Sequence, residues 1–257
     1  MIDLPHIALL VITYNRADIL KETLYALQKH LIYPQDKLHV IVSDDSTSST
    51  YLSSFKRTKA FKVFGAKGVD FRSTDERSGW GKHVNNALDY IATAYPQCDY
   101  VFQIEDDYVL QVDLDLTLGA ALMDSRPNIG MLRYRGTAGT HCIYHQFETD
   151  VREYGVERDN ITYLQMDNAS HTLWVYSNGP HLKKLKQTNE YPSFHEHYGR
   201  YLEGAKLGAT EENFAHRVID GMKIGNAPAI AIMPEWVNMH FEHVGTSWQG
   251  STDDIGG

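Results

Sequence analysis

Cysteine is almost missing from this sequence. Cys98 and Cys142 are the only two, far apart and in no CxxC or zinc-type spacing. That excludes a disulfide framework, and a reducing cytoplasm is the expected setting. Long apolar runs are missing too: no stretch approaches the ~20 residues that a membrane-spanning helix requires. The opening "MIDLPHIALLVITYNR" has a short apolar run without a basic flank before it or a small-residue cleavage site after it. It reads as a first strand rather than a leader. Positive charge is scarce, with 24 basic residues against 33 acidic ones and a net charge of −9. This disfavours a broad nucleic-acid footprint, which needs clustered Lys and Arg, but leaves room for a small basic patch. There is no internal repeat and no long low-complexity tract.

What is present is a chain of 257 residues, 42% of them hydrophobic, suited to one large domain or two small fused ones. The first half alternates strand and helix patterns. Residues 7–13, "IALLVIT", form a β-branched apolar run, read as a fully buried strand. Ile19, Leu20, Thr23, Leu24 and Leu27 recur at helical spacing and predict a helix over about 17–31. Residues 38–43, "LHVIVS", and 61–64, "FKVF", are the next expected strands. A helix over 82–95 follows, with Val84, Leu88, Ile91 and Ala92 on one face. "YVFQI", 100–104, is another buried strand and "GMLRY", 130–134, a later one. The second half is less regular. It has a strand-like "HTLWVYS" (171–177), a helix expected near 179–187, loops rich in Tyr, His and Gly, a clear helix over 211–222, and a final strand, "AIAIM", at 229–233. Buried strands separated by helices imply a mostly parallel sheet with helices on both faces.

In open sheets of this kind, ligands bind beyond the carboxyl ends of the strands. Three polar clusters fall there: "TYNR" (Thr13 to Arg16), "SDDS" (Ser43 to Ser46) and "EDD" (Glu105 to Asp107). Each has a plain alternative, since Asn15 or Asp18, and Asp44, Asp45 or Ser46, could simply cap the helix that follows. Three adjacent carboxylates repel one another unless a cation sits among them. Hard divalent ions take oxygen ligands, and Mg²⁺ typically uses one or two carboxylates together with substrate phosphates. A cluster of acids at a strand end is suited to that task.

These segments together, "IALLVITYNRADILKETLYAL", "LHVIVSDDSTSS", a helix containing "NNAL", and "YVFQIEDDYVL", resemble the nucleotide-sugar half of a GT-A glycosyltransferase of the family 2 type. Ile12 stands where the family usually has proline, Ser46 where it has glycine, and "EDD" in place of DxD. The resemblance implies an α/β GT-A (Rossmann-like) fold, with a mostly parallel central sheet flanked by helices. It places the nucleotide-sugar half at 1–125 and a smaller, irregular acceptor and base half at 126–257 of the same domain. It implies that Thr13, Tyr14, Asn15 and Arg16 line the nucleotide pocket, and that Asp44 or Asp45 bonds the base or ribose. Asp107 matches the metal-coordinating last acid, with Glu105 and Asp106 toward the sugar or ribose. "GATEENFAHRVIDGMKIGNAP" is similar to the family's base-bearing segment, which makes Glu212 the general base with Glu211 second. Acids also favour the first turn of any helix because of its dipole. "NMHFEHVGTSWQG" resembles the late loop that gives the metal a histidine, His243 before His240.

The expected activity is transfer of a sugar from a UDP- or GDP-type donor, a UDP-sugar first, to an acceptor hydroxyl. It would proceed with inversion and with Mn²⁺ or Mg²⁺ as cofactor. The acceptor could be a saccharide, a lipid-linked sugar or a protein. On the same fold it could be a modified base in DNA, with Arg133, Arg135, Trp174 and Trp248 available for a flipped base. A non-catalytic nucleotide-sugar binder and a nucleotidyltransferase are the other readings. Arg72, Arg77 and Lys82 are candidate phosphate contacts or plain surface charges. "HEH" at 195–197 has a structural or acceptor-loop reading, and "SGWGKH" lacks the spacing of a phosphate-binding P-loop.

Overall fold

The computed structural model describes residues 3–46, 68–73, 76–134, 144–167, 176, 178–205, 207–233 and 241–244. The expected strands "FKVF" and, apart from Tyr176, "HTLWVYS" lie outside these residues, as do His240, Arg135, Trp174 and Trp248.

Among the described residues, the centre is a nine-stranded sheet. In chain order its members are β1 (His6–Thr13), β3 (Leu38–Asp44), β4 (Val69–Ser73), β5 (Cys98–Glu105), β8 (Ile129–Arg133), β9 (Tyr144–Val151), β10 (Arg158–Met166), β11 (His181–Lys184) and β12 (Ala229–Ile232). In space they run β4-β3-β1-β5-β11-β8-β12-β10-β9. β4, β3, β1 and β5 pair in parallel, as do β8 and β12. Only β11 and β10 run against the rest. Two small pairs complete the strands. β2 (Leu31–Ile32) lies beside β7 (Leu114–Asp115), and β6 (Tyr108–Leu110) beside β13 (Phe241–His243).

Side chains alternate across a strand, so a strand covered on both faces is apolar throughout. β1 shows this directly. Ile7, Leu9 and Val11 pack with Leu20, Leu24 and Leu27 of α1 (Ala17–His30) and with the apolar α3 (Leu116–Ser125). Ala8, Leu10 and Ile12 face the other way, toward Val84, Leu88 and Ile91 of α2 (Trp80–Ala94). The same layer holds α4 (Phe194–Tyr198) and α5 (Leu207–Gly221), through Phe194, Phe214 and Val218. Each fully buried Leu in these layers stabilises the fold by roughly 1.5–3 kcal/mol relative to exposure. No helix among the described residues is long and apolar enough to cross a membrane.

The helix expected near 179–187 is a strand instead. β11 runs antiparallel between β5 and β8, with His181 opposite Gln103 on one side and Arg133 on the other. Leu182 and Leu185 imitate a helical spacing, but Lys183 and Lys184 are both buried. A strand is stable there because polar groups receive both amines. Lys184 Nζ donates to the carbonyls of Met123 (2.7 Å) and Pro127 (3.3 Å). Lys183 Nζ meets Gln103 Oε1, His195 Nε2 and Tyr201 Oη at 2.9–3.1 Å.

Candidate active site

Because β1, β3 and β5 are parallel neighbours, their carboxyl ends converge. Thr13 lies opposite Asp44, and Ile12 opposite Glu105. Backbone bonds carry the alignment past the strands, from Asp45 N to Thr13 O (3.1 Å) and from Asp106 N to Ile12 O (2.9 Å). The three polar clusters of the sequence therefore form one site.

The acids of "EDD" occupy three different environments. Asp106 turns inward and is fully buried. Its Oδ2 accepts from Thr13 Oγ1 (2.5 Å), its Oδ1 is ion-paired with Arg16, and its carbonyl accepts from Thr23 of α1. Burial pushes the Asp106 carboxyl up, against the pull of Arg16 and Thr13. This residue ties β5 to α1 as well as lining the site. Asp107 Oδ2 accepts from Arg16 Nη1 at 2.7 Å and lies 3.3 Å from His243 Nε2. Asp107 Oδ1 is buried with no hydrogen-bond partner among the described residues. Glu105, at the end of β5, accepts from the indole N–H of Trp80 at 2.9 Å. Burial, reinforced by the charges of Asp107, Glu211 and Asp106, pushes its carboxyl up to about 8. The cation among the three acids is thus Arg16, reaching over from the start of α1.

His243 arrives from far along the chain. β13 pairs with β6 so that His243 stands opposite Tyr108 and stacks on its ring (centroids 4.8 Å apart). Val244 N donates to Asp107 O (2.9 Å), which closes this small sheet over the acidic turn.

Asn15 takes φ +57°, in the left-handed region that Asn tolerates better than most residues. Its N–H donates to Ser46 Oγ (2.6 Å), which links the first two clusters. The α1 N-terminus has no side-chain cap, so the capping alternative for this cluster finds no bond. Asp44 is fully buried. Its Oδ1 accepts from the N–H and hydroxyl of Ser46, its Oδ2 has no hydrogen-bond partner among the described residues, and burial raises its pKa. Asp45 differs: Ser78 N (2.8 Å), Ser78 Oγ (2.7 Å) and Gly79 N (2.9 Å) all donate to its carboxylate. It holds the entry to α2, the capping role in a non-local form, so Asp44 is the member left with an oxygen for a ligand. The Arg77 guanidinium lies over the Tyr14 ring (4.4 Å), Arg72 sits over Tyr90 at the sheet edge, and Lys82 is exposed on α2.

The acidic pair of α5 separates by face. Glu212 is exposed, 3.9 Å from His216 one turn on. Glu211 is half-buried. It accepts from Asn178 N (3.0 Å) and lies within electrostatic reach of Glu105. Burial raises its pKa, and Asn178 and Arg133 act in the opposite direction. Trp80 and Asn178 were not legible as site residues, because neither carries a motif. Trp80 could have been found from its place at a helix start beside a strand of acids. His195 and His197 of "HEH" are structural: His195 bonds Lys183 and Gly199 O, and His197 bonds Gly221 O.

Asp107 and His243 suit a divalent ion in two respects: one buried carboxylate oxygen lacks a partner, and an imidazole nitrogen stands beside the other. No group of three or more His, Cys, Asp or Glu side chains that could hold a metal occurs among the described residues. Such an ion would need substrate oxygens to complete its shell, which is the usual habit of Mg²⁺ and fits a diphosphate.

Several solved structures share this fold. TarS 1–349 from S. aureus in complex with UDP-GlcNAc is 18% identical, with a TM-score of 0.58 over 95% of this chain and 61% of that one. The same protein without a named ligand gives 16% identity and a TM-score of 0.60 over 92% and 59%. The mannosyltransferase PcManGT from Pyrobaculum calidifontis, in complex with GDP-Man and Mn²⁺, gives 16% and 0.55 over 90% and 57%. The chain spans less than two thirds of the length of these structures, and the likeness is one of fold. Comparison with curated proteins found no match. Residues 8–183, which include the three clusters at the strand ends, match Glycosyl transferase family 2, and the chain belongs to that family.

Proposed function

We propose that this protein transfers a sugar from a nucleoside-diphosphate sugar to an acceptor hydroxyl, with inversion at the anomeric carbon. The observation that carries this reading is the convergence at one sheet edge of Asp44, with a buried oxygen that has no partner among the described residues, Asp107 beside His243, and Glu105, with Glu211 within its electrostatic reach. Residues 1–125 supply the donor half, and 126–257 supply the base and the acceptor surface. A UDP-sugar is the first donor to test, since TarS is solved with UDP-GlcNAc and with UDP. Asp44 Oδ2 would accept from a base or ribose donor. Thr13, Tyr14 and Asn15 would line the nucleotide pocket beside it.

Asp107 and His243 would hold a divalent cation, Mn²⁺ or Mg²⁺, that neutralises charge gathering on the departing diphosphate. The chain itself supplies the proton acceptor. Glu211 is the better placed of the acidic pair, because it is half-buried, anchored by Asn178 and within electrostatic reach of Glu105, whereas Glu212 is exposed. Its partial burial raises its basicity, which suits a general base. The carboxylate takes the proton of the acceptor hydroxyl as that oxygen bonds the anomeric carbon. The bond from that carbon to the diphosphate breaks, and its electron pair leaves with the phosphate oxygen.

The test compares Glu211→Gln with Glu212→Gln, using release of free nucleoside diphosphate and calorimetric donor binding. Loss of turnover by ~10²-fold or more in Glu211→Gln, with donor affinity kept, is the expected result. If only Glu212→Gln loses turnover, the base is Glu212. If both retain it, neither acid is the base. Release of pyrophosphate in place of nucleoside diphosphate would make the protein a nucleotidyltransferase.

A further inference from the structure

Arg16 occupies the position that a free cation would take in this site. Its Nη1 lies 2.7 Å from Asp107 Oδ2, and its Nη2 is ion-paired with Asp106. The same Asp107 oxygen is 3.3 Å from His243 Nε2. The guanidinium therefore sits on the Asp107 oxygen that lies beside His243, the other residue assigned to the metal. We propose that Arg16 is a built-in counter-cation that keeps a divalent ion off Asp107 until a diphosphate arrives, so that metal and nucleotide bind together rather than in sequence.

Three features make Arg16 an exchangeable cation rather than a fixed strut. It comes from the solvent side, with 31% of its side chain exposed against 0% for Asp106 and 6% for Asp107. It stands at the N-cap of α1, where a guanidinium has no acceptor to cap the helix, so among the described residues Asp106 and Asp107 are the groups that hold its side chain. If it swings away, Asp106 keeps the Thr13 hydroxyl, and His243 remains beside Asp107. The charge argument sets the order of events. A guanidinium and a divalent ion on one carboxylate repel each other strongly at contact range. A diphosphate brings enough negative charge to attract both, and a planar fork of N–H donors suits phosphate as well as carboxylate. Arg16 would then exchange Asp107 for a phosphate oxygen.

This rests on the reading of Asp107 and His243 as the metal-holding pair, and the experiment separates the two. Mn²⁺ binding to the full chain is followed by electron paramagnetic resonance of the free ion, with and without UDP. The variants are Arg16→Gln, Arg16→Lys, Asp107→Asn and the double variant of Arg16→Gln with Asp107→Asn. Wild type is expected to bind Mn²⁺ tightly only with UDP. Arg16→Gln should bind Mn²⁺ alone at least ~10-fold more tightly than wild type, and the double variant should lose that gain. Arg16→Lys, a point charge that cannot bridge two carboxylates, should fall between them. Equal Mn²⁺ affinity of Arg16→Gln and wild type without UDP would overturn the proposal.

Melting temperatures cover the case in which Arg16→Gln folds poorly. A loss of melting temperature that Mn²⁺ restores, by more than it raises the wild type, supports the exchange. A loss that Mn²⁺ leaves in place makes Arg16 a structural ion pair and overturns the proposal. If Asp107→Asn leaves UDP-dependent Mn²⁺ binding intact, the metal assignment falls and this inference with it. If Asp107→Asn abolishes that binding while Arg16→Gln gains nothing, the metal assignment stands and only the role of Arg16 falls.

Discussion

Lys183 offers the sharpest physical test of the fold. Its side chain is wholly buried between β11 and α4, and its amine meets three groups: Gln103 Oε1 at 3.0 Å, His195 Nε2 at 2.9 Å and Tyr201 Oη at 3.1 Å. No carboxylate pairs with it among the described residues. A charged amine would donate to all three acceptors, whereas a neutral amine has only two N–H bonds. The extra hydrogen bond contributes about 1 kcal/mol net, while burying an unpaired charge costs several kcal/mol even after relaxation. Neutrality wins, and burial alone holds the Lys183 pKa well below its usual value. The unfolded chain binds this proton up to about pH 10.4, and the folded chain releases it at lower pH. Unfolding then takes up a proton, so raising the pH through that window favours the fold.

As pH rises toward 10 the wild type should gain stability relative to Lys183→Met, at up to about 1.4 kcal/mol per pH unit once the folded chain has lost the proton. Urea unfolding of both proteins at pH 7, 8, 9 and 10 reads this as a difference of differences. The groups common to both proteins cancel, and so does the loss of packing and hydrogen bonds in the variant. A stability difference that stays constant across these pH values would mean that Lys183 is charged in the fold, and the weighing of burial against hydrogen bonds would be wrong.

Three further expectations concern α2 and α5. A Cβ on Gly81 would lie 2.1 Å from the carbonyl oxygen of Leu202, a backbone atom that cannot turn aside. Gly81→Ala should therefore lower stability by about 1–3 kcal/mol, while Gly208→Ala, in open space on α5, should raise it by about 0.5–1 kcal/mol; urea midpoints measure both. Asp45→Ala removes the acceptor for three donors at the entry to α2, and a loss of roughly 2 kcal/mol is expected in the same assay. Weakened UDP binding with unchanged stability would instead assign Asp45 to the ligand.

The first half was legible because its strands are buried on both faces. "IALLVIT" and "YVFQI" need no alternation, and their apolar runs stop where the polar clusters begin. The helices α1, α2 and α5 announced themselves through one-sided apolar spacing. α3 did not, because "LTLGAALMDS" is covered almost all round and lacks a polar face. The hairpin of β9 and β10 was hidden for the opposite reason. Much of β9 is exposed, so "YHQFETDV" reads as a loop. β4 is a short, half-exposed edge strand, "VDFRS", with the same difficulty. β11 was misread because a pattern reading sends lysines outward, and here His195, Gln103 and backbone carbonyls make the interior acceptable to two of them. Within the site, residue types were visible but orientations were not. Which of Glu211 and Glu212 turns inward, and that Arg16 spans Asp106 and Asp107, depend on angles set by packing.

The position of β11 also governs how this chain must be made. The strand sits between β5 and β8, yet it is almost the last of the sheet in sequence, at His181–Lys184. As the polypeptide leaves the ribosome, β4, β3, β1 and β5 can assemble once about residue 105 has emerged, because they pair only with one another on that side. From then until residue 184 appears, β5 is an unpaired edge presenting the free backbone groups of Tyr100 to Gln103. An edge of that kind is a template for pairing with other chains. The nascent protein therefore passes through an interval of aggregation hazard nearly 80 residues long, ended by the strand that carries its two buried lysines.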